Sequence, residues 1–577
     1  MRKYHTRKVT DKETQKTIIS FINLDKDFEG QFVVPDGIEI IAKGAFAECR
    51  DLTTVKLPST LKNINEGAFS SCSKLKSIVV PRSVVSIAKR AFANCSELTT
   101  VKLPSSLKEI GEEAFEGCYS LTDIVIPEGV ITINKRTFSC CDTLATVKFP
   151  TTLKEIGEEA FENCDSLSGV IIPEGVETIA ERAFSNCSEL ATVILPSTLK
   201  KLGGMAFKCC SLTNIVVPEG VTVIPSECFA SSSLSEVNLP NSLITIEDNA
   251  FNACELKCIK LPDSVESIGY RSFFDNKADT IYVGASMRVL GEDALWCNTP
   301  HRVEVAPDNS VFTDAGCNVI MEKRTGRIVF GATYSTIPEN AKAIARSAFR
   351  NAPQVIIIPS SVETIENGAF CFCGDDVTII LQEGVKTIEW QAFQALKGQK
   401  ITVYIPSTVT KIDGQASYVD FHLDAANKSY TYDAEGMNLI SDTGNLVWGR
   451  LLKGVPSNVT EMSLVIEGLN YSQIIIPGNV HKIQPSTIQY SSGIDKFIMS
   501  RGVHIFPEPY DTWRTGCDLE IIVDEEDKGQ GIVRKSVFVI PAGTDSKALQ
   551  ESMGNESIIG HFLKFDARFL RINKVKL

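Results

Sequence analysis

Proline recurs at positions 35, 58, 81, 104, 127, 150, 173 and 196, each interval being 23 residues, and continues at 218, 240 and 262 with a spacing of 22. Other positions keep step with it. An aliphatic residue stands three after each proline (Ile38, Leu61, Val84, Leu107, Val130, Leu153, Val176, Leu199), and another stands six after it, from Ile41 to Leu202. Phenylalanine stands eleven after, from Phe46 to Phe273. A unit this short cannot bury its own apolar face, so successive units must stack and share one continuous core. The 577 residues would otherwise suggest three or four globular domains. The spacing predicts a solenoid instead.

Within one unit, "LTTVKLP" alternates like a short strand: Val101 and Leu103 inward, Thr100 and Lys102 outward. The proline then stops the strand, because it has no N–H for the next ladder position. "LKEI" reads as a second short extended piece, and "GEEAFEGC" as a turn or brief helical segment. One strand per unit predicts a long parallel sheet with neighbouring coils roughly 4.8 Å apart.

The pattern L-x-x-[VI]-x-[LI]-P-x-x-[LV]-x-x-I-x-x-x-A-F-x-x-C closely resembles the BspA-like leucine-rich repeat, found in surface and secreted proteins of anaerobic bacteria and some protozoan parasites. That resemblance implies a right-handed leucine-rich-repeat solenoid, mostly β with short turns or helical segments, and one parallel sheet on its concave face. It also implies a non-enzymatic adhesin-like scaffold that binds host matrix proteins or other cells. The chain departs from the commoner leucine-rich repeat in lacking an asparagine ladder after the strand; a cysteine precedes each strand instead.

Past residue 275 the register returns in pieces. Pro338, Ile344 and Phe349 fit one unit, and Pro359, Val362, Ile365 and Phe370 another; Gln382 takes a proline slot before Val385, Ile388 and Phe393. Pro406, Val409 and Ile412 follow, then Pro477, Val480 and Ile483 with Ile488 in the phenylalanine slot. Two mutually similar islands, 306–331 and 425–449, interrupt the array; each carries Gly-x-Asn and then Thr-Gly between aliphatic runs, which predicts a β-hairpin. The expected organisation is an N-terminal flank (1–30), regular repeats (31–275), an irregular repeat with the first island (276–335) and a second repeat block (336–416). The second island (417–470) follows, and then degenerate repeats with a cap (471–577), the cap ending in a strand, a turn and a helix.

Cys49, Cys72, Cys95, Cys118, Cys141, Cys164, Cys187 and Cys210 each fall three after the repeat phenylalanine, so stacking puts them in one column. Disulfides between neighbours are not forbidden by distance. An unbroken column, however, gives each cysteine two equal partners. The expectation is a small buried thiol filling the bend. The opening residues are basic, but "TIISFINL" is too short for a signal-peptide core and lacks a small-residue cleavage site. A cytoplasmic location follows by default, with the cell surface or non-classical secretion as the alternative, and eighteen cysteines without an export signal favour reduced thiols.

No metal or cofactor is expected. The six histidines are scattered, Cys140-Cys141 and Cys209-Cys210 are adjacent pairs, and Cys371-Phe-Cys373 has the wrong spacing for zinc. No nucleophile elbow, phosphate loop or His-Glu-x-x-His appears, so no enzyme is expected. "DEED" at 524–527 reads as a solvated turn, and the carboxylates of "KEIGEEAF" as solubilising groups on the outer bend. Lys+Arg 58 against Asp+Glu 71 gives a net charge of −13 with no basic block, which excludes a nucleic-acid partner, and no apolar run is long enough for a membrane span.

What remains is the outward strand face. Lys56, Val79, Lys102, Val125, Lys148, Ile171, Ile194 and Val216 sit between the inward residues of successive strands, and later coils add Ile357, Ile380, Tyr404 and Ile475. Repeated Val or Ile at a position that need not be apolar has two readings: β-propensity, or an exposed stripe that binds a protein or glycan ligand. An intracellular structural or regulatory repeat protein is the alternative function.

Overall fold

The computed structural model describes residues 4–10, 17–297, 300–350, 352–374, 376–394, 399–415, 419–434, 436, 438–449, 451, 454–464 and 474–483, with strand segments 496–499, 504–505, 518–526, 533–540 and 571–573. It is a β-solenoid of stacked coils in two compact units, residues 1–300 with 304–312 and residues 301–303 with 313–577.

In the first unit each coil carries two parallel ladders. The longer one is built from strands such as Ser77–Val79, Thr100–Lys102 and Asp123–Val125, in register as Val79 beside Lys102 and Val125 beside Lys148. The piece expected from "LKEI" forms a ladder of its own, with Asn63–Ile64 on Ser86–Ile87 and Ser86–Ile87 on Glu109–Ile110. The coil therefore has two ladders rather than a single sheet. Proline ends the long strand, and its carbonyl accepts the N–H of the residue three later, as in Leu107 N–H to Pro104 O at 3.1 Å.

The bend between ladders is a turn, and no helix occurs among the described residues. Left-handed residues flank the bend phenylalanine two before and two after: Arg90 and Asn94 around Phe92, Glu113 and Gly117 around Phe115. A helix cannot contain them. Each bend instead hydrogen-bonds to the next coil, as in Phe92 N–H to Ala114 O at 2.8 Å.

The core of the first unit is a column of phenylalanines. From Phe21 to Phe273 successive rings stack with centroids 4.6 to 5.7 Å apart and planes within 12°. These distances lie in the range of favourable ring pairs. At the N-terminus Tyr4–Thr10 and Thr17–Leu24 form an antiparallel hairpin whose second strand joins the short ladder at Ile40–Ile41. That hairpin covers the first coil.

The second unit repeats the plan with Phe349, Phe370 and Phe393 stacked and buried. Both islands hold the expected hairpins, Val319–Glu322 with Arg327–Gly331 and Asn438–Ser441 with Asn445–Gly449. In each, the last hairpin strand becomes a rung of the parallel short ladder, on Ala343–Ile344 and Glu461–Met462 respectively. Asp524–Glu526, expected to turn, ends the strand Asp518–Glu526. The expected C-terminal helix and Ile488 lie outside the described residues. No helix among the described residues is long and apolar enough to cross a membrane.

Candidate functional site

The long ladder sorts its side chains by strand alternation. Ile78, Val101, Ile124, Val170, Val193 and Ile215 point inward and are buried. Lys56, Val79, Lys102, Val125, Lys148, Ile171, Ile194 and Val216 all point out and are exposed. The apolar members are wide open: Val79 61%, Val125 56%, Ile171 70%, Ile194 53% and Val216 61%. Ladder pairing places Ile171 directly beside Ile194, and Gly169 beside Thr192. Val216 follows on the next coil, beside Asn238.

The column has two parts. Over the earlier coils valine and lysine alternate: Val33 beside Lys56, Val79 beside Lys102, Val125 beside Lys148. From Ile171 to Val216 three consecutive coils are apolar, with no charge between them. The continuous apolar part of the stripe is this run.

Several bend lysines are paired across coils. Lys43 reaches Glu66 at 2.8 Å, Lys89 reaches Glu112 at 2.7 Å, and Lys135 reaches Glu158 at 2.6 Å. Among the described residues no carboxylate pairs with Lys56, Lys102 or Lys148. The bend carboxylates are thus more than solubilising groups. Glu159 is buried beside Arg136, and although burial alone pushes its carboxyl up, the Arg136 hydrogen bond and charge hold it below the usual carboxylate range.

Further along, an open groove of about 550 Å3 lies between Glu236–Asn238 and Cys258–Lys260, where the long ladder changes from one sheet to the next. In the second unit the outward column runs Ile357, Ile380, Tyr404, His422, with the last two rings stacked at 4.8 Å. The sequence reading named Ile357, Ile380, Tyr404 and Ile475 but missed His422. It also missed a second exposed apolar set, Val85, Ile131 and Ile244. The signal was present: each stands four after its proline.

The cysteines of the column are free and buried. They also donate. Cys72 Sγ–H points at Phe46 O at 3.0 Å, Cys95 at Phe69 O at 3.2 Å, Cys118 at Phe92 O at 3.3 Å and Cys187 at Phe161 O at 3.1 Å. Where the slot holds Asn276 instead, its amide donates to Phe251 O at 2.8 Å; Ser232 in the same slot donates to Phe229 O of its own coil at 2.5 Å, with Phe207 O at 3.4 Å. Burial pushes the Cys187 and Cys254 thiols up to about 12. No group of histidine, cysteine and carboxylate side chains among the described residues is arranged to hold a metal.

The sequence pattern described as "BspA type Leucine rich repeat region (6 copies)" matches residues 25–128, 108–235, 222–318 and 329–423. A leucine-rich repeat protein from Bacteroides ovatus is 27% identical, with 52% of this chain and 94% of that one covered, at a TM-score of 0.40. A leucine-rich repeat protein of T. pallidum is also 27% identical, covering 36% of this chain and 86% of its own, at 0.28. One from Eubacterium ventriosum is 16% identical, covering 60% and 80%, at 0.33. No curated protein matches the chain.

Proposed function

The chain belongs to the BspA-type leucine-rich repeat family, and we propose that it is a non-enzymatic interaction scaffold that binds a protein ligand through the outward face of its long ladder. The observation carrying this reading is the apolar run Ile171, Ile194 and Val216, exposed on three successive coils. β-Propensity accounts for one such residue in a strand. It does not require three in line on the solvent side, when the same slot holds lysine at 56, 102 and 148. Contiguous exposed apolar surface is a mark of interaction sites, and repeat arrays present it on an extended face. The resemblance to BspA-like repeats implies the class of partner, host matrix proteins or other cells.

The test compares two double variants of the whole chain on a panel of immobilised matrix proteins. Ile171→Lys with Ile194→Lys alters the face, at a slot where Lys102 and Lys148 show that lysine is tolerated. Glu112→Lys with Glu158→Lys alters the bend, where each replaces an exposed ion pair by two neighbouring cations, at a cost of about 1 kcal/mol per exposed site. The expected result is binding by the wild type and the bend variant and loss in the face variant. Loss in the bend variant with retention in the face variant would place the surface elsewhere. A wild type that binds no matrix protein contradicts the adhesive reading.

A further inference from the structure

Lys56, Lys102 and Lys148 stand on every second coil of the long ladder, with exposed Val79 and Val125 on the coils between. Bend lysines are neutralised one coil away; these are not. In a chain of net charge −13, such a row is a local cationic comb on an acidic molecule. Its neighbouring column over the same coils reads Thr54, Ser77, Thr100, Asp123, Thr146, in which Asp123 is the single carboxylate. Asp123 is held to one side, its Oδ1 accepting the Thr122 hydroxyl at 3.1 Å.

We propose that this comb docks an acidic amphipathic α-helix of a partner protein, with a carboxylate at every seventh position over the lysines and an apolar residue midway between them over the valines. The inference rests on the sheet-face reading above and names the chemistry of the partner at its N-terminal half. Spacing selects the helix. Two coils advance ~9.6 Å at the usual strand separation, and seven helical residues advance ~10.5 Å. A residue three or four further along a helix keeps the same face and advances about one coil. An extended strand repeats its face at ~6.7 Å, which matches neither one coil nor two. The valines select against a plain polyanion: a chain carrying only charge gains nothing from Val79 and Val125, whereas an amphipathic helix covers both.

The experiment uses a fluorescently labelled three-heptad peptide with Glu at one position and Leu midway in each heptad, titrated with the full chain and followed by anisotropy. The comparison ligands are a peptide of the same composition in scrambled order and polyglutamate. Expected is saturable binding of the heptad peptide, weakened at least tenfold by scrambling, and falling steeply with added salt. Lys102→Glu with Lys148→Glu should weaken it at least tenfold. Val79→Ser with Val125→Ser should weaken it about fivefold and leave polyglutamate unaffected. Equal binding of the heptad and scrambled peptides overturns the proposal, as does polyglutamate binding as tightly with the valine variant unchanged; the latter makes the comb a polyanion site. If the peptide fails while a matrix protein still depends on Ile171 and Ile194, this inference alone falls and the sheet-face reading stands.

Discussion

At the scale of the residue, the informative position is the one three after each phenylalanine. Its cysteines looked like volume fillers, and they are buried, but the slot is also a hydrogen-bond donor to the phenylalanine carbonyl of an adjacent coil. Asn276 is the proof within the chain, since it keeps the donor to the adjacent coil without the thiol. Cys118→Ala should therefore lose about 1–2 kcal/mol in chemical denaturation. Cys118→Ser should recover part of that loss; if serine costs as much as alanine, the slot is packing alone. The thiols also set an alkaline limit. Cys187 and Cys254 titrate at about 12 against an ordinary 9.0, so the folded state keeps the proton that the unfolded chain gives up. Their contribution is full below pH 9 and shrinks as pH rises from 9 toward 12, by about 1.4 kcal/mol per pH unit for each thiol. The urea midpoint should be flat between pH 7 and 8 and fall above 9. The fall should be shallower in Cys187→Ala, and an equal slope in that variant would exclude the thiol as the cause.

At the scale of the element, coils of two kinds alternate and interlock. A Lys-Arg bend sits against a Glu-Glu bend, Lys89 and Arg90 on Glu112 and Glu113, then Lys135 and Arg136 on Glu158 and Glu159. A "PEG" turn likewise caps the following "PST" or "PTT" turn: Glu128 accepts the Thr151 N–H, and Gly129 donates its N–H to Thr152 Oγ1 at 2.9 Å. Glu174 with Ser197 and Gly175 with Thr198 repeat the arrangement. Glu159→Lys should destabilise by about 2 kcal/mol, because it sets two cations together at a half-buried site. Arg136→Glu combined with Glu159→Arg should recover most of it; additive losses in the double variant would mean that the pair does not interact. How much of this was legible followed from what each signal depends on. Proline and phenylalanine repeat because each holds one slot in every coil, so Phe46 to Phe273 could be read as a buried column from spacing alone. Coil styles alternate in the sequence with a 46-residue period, two 23-residue coils, but the meaning of that alternation lies between coils, where Glu159 meets Arg136. The bend stayed undecided between turn and helix because Arg90, Asn94 and Glu113 adopt left-handed geometry without being glycine. Two-residue strands such as Glu109–Ile110 are too short to show alternation. On the candidate face, outward placement of Val125 and Ile171 followed from strand alternation, whereas the missing counter-ions of Lys102 and Lys148 follow only from the three-dimensional neighbours.

At the scale of the whole molecule, charge and apolar surface are segregated by face. Bends carry mutually neutralised ion pairs, while the long-ladder face of the first unit carries unpaired lysines and open aliphatic side chains. The second unit shows a different surface on its equivalent column, Ile357 and Ile380 leading to stacked Tyr404 and His422. One architecture therefore displays different chemistry along its length without any change in core, as expected of stacked units whose inward residues are constrained and whose outward residues are not. A scaffold with a variable face fits these features. The most direct measurement is hydroxyl-radical footprinting of the whole chain with and without a matrix protein that it retains on the panel. The expected result is loss of labelling at Ile171, Ile194 and Val216, and unchanged labelling at bend side chains such as Tyr119. Protection confined to the bends, with the three aliphatic side chains labelled as in the free protein, would contradict the assignment of function to the strand face.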